Sequence, residues 1–347
     1  MEPYFLWFYG GNETSVSISV IIVTYNSAAT INKTLMALDG QTYRDFELIV
    51  IDNNSTDGTK LILDTVLPTL NCLPRLVPLH QNVGFAAGNN CALEFATGQY
   101  IVLLNPDAFP DPDWLESLIK AVGSDPKIGV CASKIINDDL DLIDSAGDGF
   151  STILKGFKRG EGTETSLYST PEYVFGACAG AALYRRTMLE KIGFFDEEFF
   201  LIHEDTDLNF RANLAGWKIM YVPSAIVRHK VHSSIGKMSD LQIYHNLRNT
   251  EFVRIKNVPA ALLMKYLLLL SVGSLAEFYY FAIKHRRPRI FFKAKIDALR
   301  KLPMMWKKRR IVIEQRHVDN SHLERMLTPI WRKDFLAARL RKVLWSA

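Results

Sequence analysis

Cysteine is scarce in this chain of 347 residues. Cys72, Cys91, Cys131 and Cys178 are the only four, and no two form a Cys-x-x-Cys pair. That spacing speaks against a zinc ribbon and a disulfide framework. The expectation is reduced thiols, three of them in apolar or Ala/Gly-rich surroundings, in a cytosolic protein. There is no Gly-x-Gly-x-x-Gly and no Gly-Lys-Ser/Thr loop, so the dinucleotide and P-loop readings lose their usual support. Residues 1–10 hold aromatics but no basic stretch leading into an apolar run, and are not read as a signal peptide. Internal repeats and low-complexity segments are lacking as well. No nucleic-acid-binding motif accompanies the basic residues, which argues against DNA or RNA as a partner.

What is present is the composition of a globular protein, 48% apolar and 22% charged, with length enough for one large domain or two ordinary ones. The net charge of +4 conceals an asymmetry. Residues 284–347 carry 19 Lys/Arg against 5 Asp/Glu, a net of +14, whereas residues 1–283 carry 22 against 32, a net of −10. A mildly acidic body with a basic tail points to a catalytic unit joined to a segment that meets an anionic surface.

The first hundred residues alternate strand and helix patterns. Strands are predicted over 18–24, 46–51, 76–79 and 100–104, with helices over 27–38, 57–67 and 84–96 between them. Such alternation with short links predicts a parallel, right-handed, doubly wound sheet. A further helix opens near Trp114 and runs to about Val122. Residues 137–172, rich in Gly, Ser, Thr and Asp, read as loops and short strands. A helix over 204–215 and a strand over 218–222 follow, and from Ala260 onward the pattern is helical. The division expected is an N-terminal segment (1–15), a catalytic domain (16–258, split into halves 16–110 and 111–258) and a basic helical tail (259–347).

Acids stand where the predicted strands stop. Leu103-Leu104-Asn105-Pro106-Asp107 is a buried strand that Pro106 terminates. Asp107 is therefore presented at the carboxyl end of a core strand, where open α/β sheets place their ligands. It reads as a metal ligand or as a structural cap. Asp52 ends the second strand and could accept from the imide N–H of a pyrimidine. Asn26 and Ser27, after the first strand, suit either an anion-binding helix start or a plain N-cap. The run Asn82-Val83-Gly84 through Asn89 has little side-chain bulk and suits close approach of a ligand or of another backbone. His203-Glu204-Asp205-Thr206-Asp207 concentrates three carboxylates at a helix start. Capping accounts for one or two of them; a carboxylate kept ionised in a cleft is a plausible general base. His229 and His232 follow a later strand, and at most one is expected to bind metal.

In their order and spacing, Val-Thr-Tyr-Asn-Ser, the Asp52 strand end, Asn-Val-Gly-Phe-Ala-Ala-Gly-Asn-Asn, Leu-Leu-Asn-Pro-Asp, Glu-Asp-Thr-Asp-Leu and His-Lys-Val-x-Ser-Ser form a series. Over about residues 16–255 the chain resembles the family 2 inverting glycosyltransferases, and within them the bacterial rhamnosyltransferase-like group. The resemblance implies a GT-A fold, a Rossmann-like nucleotide-binding α/β unit joined to an acceptor-binding half, here with a basic helical extension. It implies that Thr24, Tyr25, Asn26, Asp52, Asn54, Asn82, Gly84, Asn89, Asn105 and Asp107 bind a nucleotide sugar. Asn105 and Asp107 stand where the family often has Asp-x-Asp, so that Asp107, with His229, would bind Mg²⁺ or Mn²⁺ and Asn105 would reach the ribose. Asp205 matches the catalytic base, with Glu204 beside it, and Asp207 and Arg211 would contact acceptor or give support. The implied reaction moves a sugar, foremost L-rhamnose from dTDP-L-rhamnose and alternatively one from a UDP- or GDP-sugar, to a glycan or lipid-linked acceptor. A nucleotidyltransferase and a silent membrane-bound module are the weaker readings.

Residues 260–283 are nearly long and apolar enough to span a bilayer, but Glu277 is costly at depth. The expectation is a helix lying in the membrane interface or packed on the catalytic domain, followed by basic clusters at 284–289 and 307–310 that attract anionic lipid. A peripheral position on the inner face of the cell membrane follows, with a solvated helical subdomain or a homodimer contact as rivals.

Overall fold

The computed structural model describes residues 16–230, 238–332 and Phe335; the expected segment 1–15 and His232 lie outside the described residues. Strand β1 (Ile18–Thr24), α1 (Ile31–Asp39), β2 (Phe46–Asp52), α2 (Thr59–Val66), β3 (Leu73–Pro78), α3 (Gly84–Leu93) and β4 (Tyr100–Leu104) follow one another as strand–helix units. β1 pairs in parallel with β2 and β4, and β2 with β3. Alternation along β1 explains the layering. Ile18, Val20 and Ile22 face one core with Leu35, Leu38 and Trp114, whereas Ile21 and Val23 face another with Ala86 and Leu208. Strands covered on both sides become the continuous apolar runs seen in the sequence.

Beyond β4 come β5 (Ala108–Pro110), α4 (Trp114–Gly123), β6 (Ile128–Asn137), β7 (Leu142–Ala146), β8 (Asp148–Ser151), β9 (Gly156–Lys158), β10 (Glu172–Tyr173), β11 (Ala181–Arg185), α5 (Arg186–Ile192), α6 (Glu204–Leu214) and β12 (Lys218–His229). The parallel sheet expected of the first hundred residues is present in β1 to β4. β11 inserts antiparallel between β4 and β6, so the ten-stranded sheet is mixed. The predicted 218–222 strand is also longer. A bulge between Val222 and Ile226 lets it continue beside β6 as far as His229. Helix α1 begins at Ile31 and not at residue 27; before it, the N–H groups of Ser27 and Ala28 donate to Thr59 Oγ1 (2.7 Å) and Asp57 Oδ2 (3.1 Å). Residues 137–172 do form short strands and loops. All four cysteines are free, but only Cys131 is fully buried.

Helix α7 (Asp240–Asn257) follows in the body, and the tail contains α8 (Ala260–Lys265), α9 (Leu267–Phe278), a π-helical turn (Tyr279–Lys284), α10 (Pro288–Arg300), α11 (Leu302–Glu314) and α12 (Asn320–Met326). It is not purely helical: β13 (Leu327–Thr328) pairs with β8 in a second small sheet. A third core joins tail to body, with Phe150, Phe175 and Phe210 packed in mutual contact and Phe252, Leu262 and Met305 beside them.

Candidate active site

Register brings the metal candidates together. Asp107 lies in the turn between β4 and β5, where the Asn105 N–H donates to Gly180 O (2.8 Å) and the Ala108 N–H to Asn105 O (3.1 Å). β5 runs antiparallel to the end of β12 with Ala108 opposite His229, and the Lys230 N–H donates to Asp107 O (2.9 Å). The His229 Nε2 consequently sits 3.2 Å from Asp107 Oδ1. Its other nitrogen, Nδ1, is 3.2 Å from Asp144 Oδ2, and Lys158 Nζ reaches both Asp144 oxygens at 2.8 Å. Burial opposes charge on the His229 ring, but the two carboxylates overcome it and raise the pKa to about 9. Asp144 is buried too, which alone would raise its pKa, yet the Lys158 and His229 charges hold it low.

Asp144 was absent from the expected site, as was Lys158. The reason lies in β7, where Ile143 opposes Ile136 and Ser145 opposes Ile135. Asp144 is the extra residue of a β-bulge, a distortion that re-aims a side chain. Its only signal in the sequence is an acid inside the run Leu142-Ile143-Asp144-Ser145-Ala146.

Asp205, at the start of α6, comes to the same region from the opposite half. Its Oδ1 accepts from the Thr206 N–H (2.6 Å) and its Oδ2 from the Ala179 N–H (3.4 Å). Ala179 precedes Gly180, whose carbonyl holds Asn105. A Cβ at Gly180 would stand 2.9 Å from Asn105 Nδ2, so a glycine is needed to admit that amide. Burial raises the pKa of Asp205, against the bonds from Thr206 and Ala179. Glu204 is raised further by burial and by the Asp205 charge, and its Oε2 has no hydrogen-bond partner among the described residues. Asp148 is likewise raised by burial and by Asp205.

The residues expected to bind the nucleotide lie at the carboxyl ends of β1 and β2. Thr24 and Asp52 are direct register partners, and Tyr25 beside them is 40% exposed. Thr24 Oγ1 is buried without a hydrogen-bond partner among the described residues. Asp52 Oδ1 accepts from the Ser55 N–H (3.1 Å). Asn54 is exposed at positive φ (63°). Other expected residues have local partners. Asn26 accepts from the Thr56 N–H (2.8 Å), tying two loops together. Asn82 accepts from Asn53 (3.0 Å) and from the Gly84 N–H (2.9 Å). Asn89 is buried and donates to Phe85 O within its helix (2.8 Å). Gly84 (φ +86°) is closely approached by another part of the chain: a Cβ there would lie 2.5 Å from the Phe200 ring.

Asp207 and Arg211 are both buried and pair with each other. Arg211 Nε is 2.9 Å from Asp207 Oδ2, and its Nη1 donates to Ile192 O and Gly193 O. Lys256 joins Asp207 (2.8 Å) to Asp196 (2.7 Å), all with buried side chains. The geometry is that of a structural ion cluster.

Among the described residues no three His, Cys, Asp or Glu side chains converge as a metal site. The donor set of Asp107 and His229 nevertheless fits a Mg²⁺- or Mn²⁺-type ion, given a hard carboxylate and an imidazole whose second nitrogen a carboxylate fixes. Such an ion would need its remaining ligands from diphosphate oxygens and water.

The model of the family described as glycosyl transferase family 2 matches residues 19–193, half of the chain. This chain belongs to glycosyl transferase family 2. As an enzyme of that family it is a glycosyltransferase acting on a nucleotide-sugar donor; Asp205 and His229 lie beyond the matched span. A curated relative, the N-acetylglucosaminyl-diphospho-decaprenol L-rhamnosyltransferase of Mycobacterium tuberculosis, is 29% identical over 241 residues, covering 62% of this glycosyltransferase and 77% of the relative. Among solved structures, a mannosyltransferase from Pyrobaculum calidifontis in complex with GDP-Man and Mn²⁺ aligns with a TM-score of 0.55 at 19% identity, over 96% of this chain and 88% of that one. GalNAc-T7 with UDP, GalNAc and Mn²⁺ aligns with a TM-score of 0.56 at 17% identity, over 70% of this chain and 48% of that one. At these identities the two structures show a shared fold.

Proposed function

We propose that this glycosyltransferase moves a sugar from a nucleotide diphosphate donor to a hydroxyl of a glycan or lipid-linked acceptor, with inversion at the anomeric carbon. The observation that carries this reading is the meeting of Asp205 with the Asn105–Asp107 turn across Ala179 and Gly180. Base and leaving-group site are then neighbours, linked through two adjacent backbone groups.

Thr24, Tyr25 and Asp52 receive the base, and Asn105 the ribose. Asp107 and His229 would hold Mg²⁺ or Mn²⁺, which supplies Lewis-acid neutralisation of charge on the departing diphosphate. The acceptor oxygen attacks the anomeric carbon from the face opposite the diphosphate. The new C–O bond forms as the old one breaks, and the nucleoside diphosphate leaves with the electron pair. Asp205 takes the acceptor proton, a contribution of about 10²–10⁴-fold for a well-placed base. Its neighbours favour that role. Asp205 receives N–H bonds from Thr206 and Ala179, which favour its ionised form.

On the donor, a UDP- or GDP-sugar has the broader support, since UDP and GDP-Man are named in the two related structures. dTDP-L-rhamnose is the second reading, favoured by the 29% identical rhamnosyltransferase. The free thiols fit a reducing compartment, and the basic tail a peripheral position on the inner face of the cell membrane. Incubation with UDP-, GDP- and dTDP-sugars, with and without Mg²⁺ or Mn²⁺, tests the reading. Metal-stimulated release of a nucleoside diphosphate from at least one donor is expected. Release of pyrophosphate from a sugar phosphate and a nucleoside triphosphate would instead make the protein a nucleotidyltransferase.

A further inference from the structure

We propose that the outer face of α9, the π-turn and the start of α10 is a docking surface for an anionic lipid bilayer, on which the protein lies without crossing it. Leu267–Lys284 is the one stretch among the described residues long and apolar enough to cross a membrane, with a mean hydropathy of 1.4, and only 17% of it is buried. Leu268 (77% exposed), Val272, Leu275 (68%), Tyr279 and Ile283 form one open stripe at helical spacing. The stripe continues onto α10, because Phe278 packs on the exposed Phe292 with ring centroids 6.0 Å apart. A contiguous apolar face of this kind on a soluble domain marks an interaction site.

Charge selects the partner. Lys284, Arg286, Arg287 and Arg289 all lie at the end of the stripe and are exposed. Among the described residues no carboxylate pairs with Lys284, Arg286 or Arg289, and only Arg287 has an acid, Asp240, at 2.9 Å. Apolar side chains beside unneutralised cations match a membrane interface with anionic headgroups. A second copy of this chain would bring the same cations against themselves.

The inner face argues against a span. Glu277 has a side chain only 10% exposed, bonded by Lys155 and by Lys295 of α10. Gly273 lies against Ile153. A transmembrane orientation would break both ion pairs and carry Glu277 into hydrocarbon. The same contacts tie the stripe to the acceptor side. Lys155 adjoins Gly156, which touches Thr206 next to Asp205. A bilayer under α9 would therefore lie one packing layer from the proposed base, within reach of a lipid-linked hydroxyl. That last step rests on the proposed function; the docking surface does not.

Sedimentation of the full chain with phosphatidylcholine vesicles, with and without phosphatidylglycerol, is the test. Binding is expected only with phosphatidylglycerol and is expected to weaken with salt. Exchanging Lys284, Arg286 and Arg289 for glutamate should reduce binding by about 5-fold for each cation lost. Leu268→Glu with Leu275→Glu should abolish it. Both variants should keep the wild-type thermal midpoint and nucleotide-sugar hydrolysis, because none of these side chains is buried. Absence of binding, or equal binding to both vesicles, would overturn the proposal, as would a dimer in light scattering that Leu275→Glu dissolves. Alkaline carbonate should release the wild type from membranes; retention would mean a true span. Loss of hydrolysis in the wild type would count against the proposed function and leave the docking result standing.

Discussion

Asp144 bonds to His229 Nδ1 on one side and to Lys158 on the other, so its carboxylate sets which ring nitrogen faces Asp107. Asp144→Asn should lower Mn²⁺ affinity by about 10–100-fold, the usual effect of removing such a support. Mn²⁺ titration followed by electron paramagnetic resonance checks this without turnover; unchanged affinity would reduce Asp144 to a packing role. A second residue-level expectation concerns Lys158. Burial raises the Asp205 pKa, and the Lys158 charge acts the other way. Because the base must be ionised, kcat should rise as pH climbs through the raised Asp205 pKa, above the usual carboxylate range of about 4. Lys158→Gln removes a charge that favours the ionised form, so that limb of the pH profile should move to higher pH. A limb that stays in place would dissociate Lys158 from the base.

The entry to α6 is the element with the most backbone strain. Phe200, Ile202 and His203 have φ of 65°, 66° and 71°, conformations of order 1–3 kcal/mol each for such residues. Asn249 of α7, buried, donates to Phe199 O, Leu201 O and Ile202 O at 2.9, 2.8 and 2.6 Å. Asn249→Ala should let this loop relax and shift Glu204 and Asp205, lowering kcat while donor KM holds. Equal loss in both would mean general unfolding. This element also shows where sequence reading stops. The strand ends at Asp52 and Asp107 are legible because a β-branched apolar run meets a turn residue, a local signal. The α6 start is legible from its acids. Asn249 is not, since it lies 47 residues from the carbonyl of Ile202 on a helix of unremarkable pattern. Asp144 is hidden by its bulge, which breaks the alternation that marks a strand. The antiparallel insertion of β11 is equally non-local: its residues read as a strand, but its neighbours are chosen by the whole sheet. Family resemblance supplied the roles of Asp205 and His229, which spacing by itself left open.

At the scale of the whole molecule, body and tail are joined by buried charge as well as by the phenylalanine core. Asp207 bonds to Arg211 and Lys256, Lys256 to Asp196, and Lys308 of α11 to Asp196. Burial alone would raise the Asp207 pKa, but Lys256 and Arg211 bring it down to about 2. A carboxyl depressed in the folded state stabilises it above the unfolded pKa of about 4. That stability is lost as pH falls through about 2. Denaturant midpoints should therefore drop across this window. Asp207→Asn, which leaves its cations without their carboxylate, should destabilise the protein by about 3–5 kcal/mol at neutral pH and flatten the acid dependence. A midpoint unchanged by the substitution would show that the cluster adds nothing to the joint. The tail thus fixes α6 from behind.

The central claim is that Asp205 removes the acceptor proton. It is tested most directly by comparing Asp205→Asn with the wild type, measuring donor affinity by calorimetry and transfer by single-turnover kinetics. Unchanged donor binding with transfer slowed at least about 100-fold is the expected result. Transfer at near wild-type rate would contradict the account, because the acceptor proton would then leave by another route.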